Sequence, residues 1–281
     1  NTGTNSPRFL PPLQQAAKRG CRIVTFNPIR EKGLIAFRNP QNPVEMLTGG
    51  KTDISELYFQ PRPGGDTAVL MGLCKHVLAA DEERRASGGA PILDTEFLDT
   101  HCQGFEAFRA QVEATSWEDI ETESGLTREG LKAAADVYCA AKRVIGVYGM
   151  GVTQHVRGFE TIGMFVNLLA LRGNIGREGA GISPVRGHSN VQGQRTVGIS
   201  EKPELVPYDK LRQLFDFEPP AEEGMATVAA CEGIIAGKVH AFIGLGGNFL
   251  RAIPETAMME AAWPNMQLTV QIATKLNRSH L

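Results

Sequence analysis

The sequence predicts an α/β protein built from open, mainly parallel sheets with helices on both faces. Three observations lead to this fold class. Amphipathic helical segments alternate with short β-rich runs, which is the pattern of strand–helix–strand units. Most of the predicted strands end in a turn that contains Gly or Pro. The chain has 281 residues, of which 42% are hydrophobic, so it holds enough apolar material for a sizeable core.

The first third of the chain predicts one short helix, two short strands and one long helix. The predicted elements are a helix over Pro11–Arg19, strands over Ile23–Phe26 and Glu56–Gln60, and a helix that begins at Asp66. Gly20 ends the first helix and Pro28 ends the first strand. Residues 29–55 are rich in Gly, Pro and Asn and predict loops. One face of the long helix carries Val69, Leu70, Leu73, Val77 and Leu78.

The middle of the chain predicts three helical regions around one buried strand. In order, they are a helical region over 94–113, an amphipathic helix over 126–142, a strand over 143–151 and a helix over 159–173. Thr115–Glu118, with the sequence TSWE, fits a capping box. Gly173 stands where a helix terminator is expected.

The last third predicts an irregular segment up to Pro220, followed by another α/β unit. That unit contains helices over 224–239 and 253–264 and strands over 240–249 and 266–274. We place a domain boundary near residue 188. The sequence thus predicts a first α/β unit over 1–187 and part of a second over 188–281.

Composition narrows the classes of function. The net charge of −2 offers no basic field for nucleic acid or an anionic membrane, and no apolar run is long enough to span a bilayer. The five Cys are scattered, without the spacing of a zinc ribbon or an iron–sulfur site. No metal ligand is predicted in this chain. These features favour a cytoplasmic protein, and the absence of a starting Met suggests a piece of a longer polypeptide.

Four junctions that follow predicted strands are candidate ligand sites, because parallel sheets bind ligands beyond the carboxyl ends of their strands. Their sequences are FNPIR, PRPGGD, YGMGVTQH and GLGGNF. Each has a structural alternative: Gly64 and Gly65 can form an ordinary turn, and Asp66 an ordinary helix cap. The dinucleotide fingerprint of nicotinamide enzymes and the P-loop are both absent.

The segment Pro184–Gly198, PVRGHSNVQGQRTVG, is unusually rich in hydrogen-bonding side chains. It contains two Arg, two Gln, one Asn and one His. Such groups suit phosphates, pterin-like heterocycles and carboxylates. The alternative is a polar loop that bridges two units.

The stretch Gly149–Gly198 closely resembles the core of the molybdopterin oxidoreductase family, in the branch of the formate-dehydrogenase-like alpha subunits. The resemblance lies in MGVTQ, GNIG, GAG, PVRG and NVQG, and weaker features lie in NTGTNSPR, PGGD and VQIATKLNRSHL. It implies the central domains of the formate dehydrogenase and DMSO reductase fold. It also implies bis-molybdopterin guanine dinucleotide with Mo or W, a small anionic substrate and an electron-transfer partner, which the sequence does not identify. The metal-ligating residue and a [4Fe–4S] cluster would belong to the upstream part of a longer chain.

The resemblance also assigns roles to individual residues. Arg186 matches the arginine that holds the substrate carboxylate in formate dehydrogenases, and His188 is a candidate for proton relay. His188 stands where formate dehydrogenases more often have Gln, and Asn27 and Thr4 replace acidic residues. The expected cofactor-binding residues are Asn1, Thr4, Asn27, Asp66, Met150, Gln154, Gly187, Asn190, Gly246, Gly247, Asn248, Gln271 and Thr274.

Two other functions remain open at this point. The full-length protein could be a non-catalytic or stress-related relative that keeps the fold. Alternatively, the chain could be a nucleotide-binding α/β domain of unrelated function. The leading hypothesis is the central part of a molybdopterin-dependent oxidoreductase that is inactive as an isolated fragment.

Overall fold

The computed structural model describes residues 6–39, 42–186, 190–200 and 202–280. The chain divides into two compact units, Asn1–Gly187 and His188–Leu281. The helices of the first unit are α1 (Leu10–Lys18), α2 (Lys32–Ile35), α3 (Pro43–Thr48), α4 (Asp66–Ala86), α5 (Thr95–His101), α6 (Phe105–Ala114), α7 (Trp117–Ser124), α8 (Arg128–Ala140) and α9 (Gly158–Ala170). Its strands are β1 (Val24–Phe26), β2 (Ala36–Phe37), β3 (Thr52–Asp53), β4 (Leu57–Phe59), β5 (Ile145–Tyr148) and β6 (Gly181–Pro184).

The second unit contains five α-helices and two strands among its described residues. They are α10 (Val191–Thr196), α11 (Tyr208–Phe215), α12 (Thr227–Ile235), β7 (Ala241–Leu245), α13 (Phe249–Ala252), α14 (Thr256–Ala262) and β8 (Leu268–Ile272). Short 3₁₀ turns at both ends of the chain and between these elements complete the described structure.

Helix α4 is the centre of the first unit. It packs against α7, α8 and α9. Val69, Leu73, Val77 and Leu78 are buried in its core cluster and Leu70 packs against that cluster, so the predicted apolar stripe is confirmed. Gly72 permits the close approach of α8, because a Cβ here would lie 2.7 Å from a methyl carbon of Leu131.

Parallel strand pairs confirm the predicted α/β class. β1 pairs with β4, β5 with β6 and β7 with β8, each in parallel. The short β2–β3 pair is antiparallel. Among the described residues each sheet has two strands. The carboxyl ends of the three parallel pairs position the candidate site residues.

Three local predictions were wrong. Residues 29–55 are not all loops, since α2, α3 and the β2–β3 pair form there. The segment before Pro220 is not irregular throughout, because α10 and α11 lie within it. The helix start at TSWE lies one residue later than predicted: the hydroxyl of Ser116, not of Thr115, accepts the Asp119 N–H at 3.0 Å. Asp119 also accepts a hydrogen bond from this hydroxyl, so it takes the place expected for Glu118.

An acidic network explains why residues 29–55 fold despite their turn-rich composition. Glu45 is 9% exposed. Its carboxylate accepts hydrogen bonds from the side-chain amide of Gln14 at 2.9 and 3.0 Å, from Lys18 at 2.8 Å and from the backbone N–H of Asn39 at 2.8 Å. These contacts join α3 to α1. They are long-range, which is why the local composition of the segment does not predict them.

Candidate functional site

The turn after β1 is held in place by side chains of β4. The hydroxyl of Tyr58 donates to the carbonyl of Ile29 at 2.7 Å and accepts the Glu31 N–H at 3.0 Å. Asn27, a predicted cofactor contact, uses its side chain locally: it accepts the Ile29 N–H and donates to Glu31. Asn27 therefore lies at the carboxyl end of β1, where it shapes the turn.

The loop that leads into α4 is clamped against the end of α7. Arg62 donates from Nη1 to the carbonyl of Thr122 at 2.8 Å, and its backbone N–H bonds the carbonyl of Ser124 at 2.8 Å. Gly65 is buried, and a Cβ there would collide with the backbone of Glu123 and Ser124. The two Gly of PRPGGD therefore permit a close backbone approach in addition to a turn.

Asp66 begins α4 and is only partly exposed. Burial raises the pKa of its carboxyl above the ordinary value, and its own backbone N–H and the nearby His155 offset this only in part. Gly65 occupies the cap position of α4, so Asp66 is the first residue of the helix and not its cap. The alternative interpretation of Asp66 as the N-cap residue is therefore wrong, and a half-buried carboxyl lies at the helix start.

The loop after β5 leads into α9, which lies beside the start of α4. The hydroxyls of Thr67 in α4 and Thr161 in α9 are 2.8 Å apart and buried. Met150 begins the loop, and its carbonyl accepts the N–H groups of Thr153 and Gln154 at 3.1 Å. The side chains of Met150 and Gln154 are exposed.

His155 has a buried ring nitrogen without a partner. Its Nδ1 accepts the backbone N–H of Arg157 at 3.2 Å, so Nε2 carries the proton of the neutral ring. Nε2 is buried and forms no hydrogen bond with any described residue. Buried donors are rarely left unsatisfied. The Asp66–His155 pair therefore offers an acceptor and a donor at the carboxyl ends of β4 and β5.

Arg186 and Asn190 lie on either side of undescribed residues. The strand ladder continues past β6, because the Val185 N–H bonds the carbonyl of Tyr148 at 2.7 Å. Arg186 follows and is exposed. Asn190 precedes α10 and is also exposed. Four predicted site residues lie outside the described residues: Asn1, Thr4, Gly187 and His188.

In the second unit, the Gly-rich turn after β7 is braced by residues beyond β8. Gly246 and Gly247 adopt φ values of +75° and +71°, which favour glycine. The Gly247 carbonyl accepts from the side-chain amide of Asn277 at 2.8 Å. Ser279 is fully buried; its hydroxyl accepts the Leu250 N–H at 3.2 Å and donates to Asn248 at 3.4 Å. The predicted residues Gly246–Asn248 thus form one structure with Asn277 and Ser279.

Gln271 lies across Gly244, its register partner on β7. A Cβ on Gly244 would overlap with Oε1 of Gln271, so the glycine provides the space for this side chain. The amide nitrogen Nε2 of Gln271 is buried and has no hydrogen-bond partner among the described residues. Thr274, the other residue predicted on this edge, is exposed just beyond β8. The carboxyl end of β8 therefore has an unsatisfied donor as well.

Sequence reasoning assigned no role to three residues of these sites. His155 directly follows Gln154 in the MGVTQH stretch, and Asn277 and Ser279 belong to the KLNRSHL stretch. Both stretches contributed to the family resemblance, but only the tertiary structure shows that these side chains reach the turns. Within residues 6–39, 42–186, 190–200 and 202–280, no group of three His, Cys, Asp or Glu residues could hold a metal ion.

The GNIG stretch has a structural role. Asn174 is 1% exposed. Its side-chain oxygen accepts the Val144 N–H at 3.1 Å, and its nitrogen donates to the hydroxyl of Tyr138 at 3.2 Å. That hydroxyl donates to the carbonyl of Leu168 at 2.6 Å. Asn174 therefore joins the start of β5 to α8 and α9 at the edge opposite the candidate site.

Comparison with known proteins identifies relatives over the whole chain. Protein YdeP from Escherichia coli K12 is 45% identical over all 281 residues, which cover 37% of it. The uncharacterized oxidoreductase Rv2900c from Mycobacterium tuberculosis H37Rv is 42% identical over 281 residues, or 35% of that relative. The chain thus spans about a third of the length of these relatives. No protein-family model matches it.

Formate dehydrogenase H from Escherichia coli K12 is 27% identical over 77% of the chain, which covers 30% of that enzyme. This chain is therefore homologous to the formate dehydrogenases. The resemblance expected from Gly149–Gly198 is thereby confirmed, and the homology to the formate dehydrogenases is distant.

A solved structure shares the fold of this chain. Acetylene hydratase from Pelobacter acetylenicus superposes with a TM-score of 0.55 at 16% identity, over 92% of this chain and 35% of the other. At this identity the comparison concerns the fold alone. Among the described residues, no helix is both long and apolar enough to cross a membrane.

Proposed function

We propose that the full-length protein is an oxidoreductase that binds bis-molybdopterin guanine dinucleotide and catalyses two-electron redox chemistry at Mo or W. In this proposal each unit of the chain holds one dinucleotide. One observation carries it. In both units, residues that match the family pattern lie at the carboxyl ends of parallel strands, beside a buried nitrogen donor without a partner, His155 Nε2 or Gln271 Nε2.

The donors and acceptors present suit a guanine base. Guanine offers N–H donors and the acceptors O6 and N7. The Asp66 carboxylate can accept from the donors, while the ring N–H of His155 or the amide of Gln271 can donate to the acceptors. Around Gly246 and Gly247 there is open space where a Cβ would stand, so the backbone can approach a phosphate or base closely. The residues therefore fit the group that the family implies.

The protein's own contribution is to bind and to orient. When bound, the cofactor supplies the redox-active metal centre, and the protein supplies positioning and electrostatics. Arg186 would hold a small anionic substrate, because a guanidinium is permanently charged and can bind a carboxylate through two parallel hydrogen bonds. His188, outside the described residues, would move a proton, since a histidine titrates near neutral pH. The electron acceptor remains unassigned in this proposal.

The first test is the composition of the full-length protein, purified from a cofactor-producing host supplied with molybdate or, separately, tungstate. We expect about one metal and about two pterins per chain, together with guanine nucleotide after acid hydrolysis. A folded protein that contains none of these would refute the proposal. That result would favour the alternative hypothesis that the protein is a non-catalytic relative that keeps the fold.

A second test uses single variants of the same holoenzyme. Asp66→Asn removes the negative charge and replaces one of the two acceptor oxygens by an NH₂ donor, so in this proposal it weakens the contact with the guanine N–H groups and we expect cofactor to be lost about 10-fold faster or more. Asp136→Asn is the matched control, because Asp136 is exposed and bonds Lys132 on the same helix. Equal retention in both variants would show that Asp66 does not contact the cofactor.

Arg186 requires a different readout. Arg186→Gln should leave the metal and pterin content unchanged but raise KM for formate, used as the carboxylate probe, with a dye as acceptor. If Arg186→Gln lost cofactor instead, its role would lie in cofactor binding.

A further inference from the structure

The β7–β8 sheet has one face without a partner among the described residues. Side chains at matching register positions point to the same side of a parallel pair, so Ala241, Ile243, Leu245, Leu268, Val270 and Ile272 share one side, which we call the open face. Leu245 is 83% exposed, Ile243 69%, Ile272 56% and Leu268 52%. All six residues are apolar, and the open face carries no charge.

The opposite side of the same sheet is partly covered. Phe242 points away from the open face and contacts the rings of Phe249 and Trp263, with centroids 4.8 and 4.9 Å apart. Both partners belong to the core cluster of the second unit or pack against it. The sheet thus has one side that is partly covered by aromatic rings and one exposed apolar side.

This asymmetry is unusual for parallel strands. Parallel sheets occur almost only with both faces covered, and their strands are apolar on both sides for that reason. Apolar surface left in water forgoes stabilisation in proportion to its area. Contiguous apolar patches of this kind mark surfaces that contact something else.

The first unit shows the same arrangement independently. Gly146 of β5 faces Phe165 and Leu169, and a Cβ there would collide with the ring of Phe165. Its neighbours Ile145 and Val147 point to the other side, and each is 57% exposed. Two parallel pairs in separate units therefore have one covered and one uncovered side.

We propose that the open face of the β7–β8 sheet is covered by apolar side chains from the part of the same polypeptide that lies outside this 281-residue stretch. Chain length favours this occupant. Relatives that are 45% identical over the whole stretch are matched over only 37% of their own sequence, so well over half of each relative is available to cover it. This proposal concerns packing and does not depend on a bound cofactor.

The test measures thiol accessibility in the native full-length protein. Leu245→Cys is a mild substitution on the open face, and Glu223→Cys is the control in an exposed, charged loop. Labelling is followed by mass spectrometry of the peptide that contains each position, so the native Cys do not interfere. We expect Leu245→Cys to react about 100-fold more slowly or more than Glu223→Cys, since it would react only through local opening.

Dilution and cross-linking experiments identify which polypeptide covers the open face. Protection that persists at a dilution where the protein is monomeric supports the proposal, whereas protection that is lost on dilution would assign the face to a second copy and overturn it. A photo-reactive amino acid at position 245 should cross-link to the same chain outside the 281 residues. Equal labelling of both cysteines, or a cross-link within the 281 residues or to another protein, would also overturn it. Ile272→Cys repeats the measurement if the first variant fails to fold.

Discussion

Gly244 and Gln271 stand opposite each other on β7 and β8, and the side chain of the glutamine fills the space that the glycine leaves. A Cβ at position 244 would also lie 3.0 Å from a ring carbon of Phe242. The amide nitrogen of Gln271 is buried and has no partner among the described residues. Gly244 therefore leaves room for the side chain of Gln271, whose amide nitrogen is a candidate donor to a ligand.

We expect Gly244→Ala to lower the free energy of unfolding by about 1–3 kcal/mol, because the new methyl group overpacks the sheet. Adding Gln271→Ala should recover most of that loss, since the atom in the way is removed. A double-mutant cycle by urea denaturation measures the coupling. Gly163→Ala is the control: it lies inside α9 with nothing within 4 Å of the added Cβ, so it should be neutral or stabilising. Additive effects of the two mutations would contradict the prediction.

Acid stability should depend on Glu45. Hydrogen bonds from Lys18, the Asn39 N–H and Gln14 lower the pKa of its carboxyl from 4.5 to about 2. A folded-state pKa below the unfolded one means that the contribution to stability is complete above pH about 4.5 and is lost as the pH falls towards 2. Glu45→Gln should therefore lower Tm at pH 7 and flatten the decline in Tm between these pH values.

Glu56→Gln is the control for this acid profile. Glu56 is paired with Arg22, which also lowers its pKa, but both side chains are more than 40% exposed. Exposed pairs contribute little, so the profile of this variant should follow that of the wild type. Equal changes in the pH dependence of Tm in both variants would show that the hydrogen bonds to Glu45 stabilise the fold no more than an exposed ion pair does.

Asp81 should stabilise the loop between α4 and α5. Its carboxylate is 1% exposed and accepts the backbone N–H groups of Ile92 at 2.7 Å and Leu93 at 3.0 Å, together with Nε of Arg85 at 2.6 Å. Asp81→Ala would leave buried N–H groups unpaired, and we expect a loss of about 2–4 kcal/mol in the free energy of unfolding. Asp136→Ala removes an exposed pair within α8 and should cost about 0.5 kcal/mol or less. Similar losses in both variants would refute this role.

The buried amide of Asn174 should stabilise the first unit without contributing to cofactor binding. Asn174→Ala removes bonds to the Val144 N–H and to the Tyr138 hydroxyl, so we expect a loss of about 2–3 kcal/mol. Thermal unfolding followed by circular dichroism measures it, with exposed Asn265→Ala as the control. If the folded variant kept its stability but lost cofactor, Asn174 would belong to the binding site.

The candidate site was only partly predictable from the sequence. The Gly and Asp residues of the strand-end turns are visible because turns impose local backbone requirements. His155, Asn277 and Ser279 have no such local signature. Asn277 and Ser279 bond residues that are distant in sequence; the Gly247 carbonyl, for example, is 30 residues from Asn277. The ring nitrogen Nε2 of His155 is buried by packing and has no partner among the described residues.

The sequence by itself determined the elements whose signals are local: the apolar stripe of α4, the existence of the strands that precede the turns at Pro28 and Gly246, and the resemblance from Gly149 to Gly198. Tertiary structure alone decided that Glu45 folds α3 onto α1 and that Asp66 lies near His155. It also decided which face of the β7–β8 sheet is buried. The physical reason is that periodicity and turn propensity act over a few residues, whereas buried polar groups find partners wherever the packed chain places them.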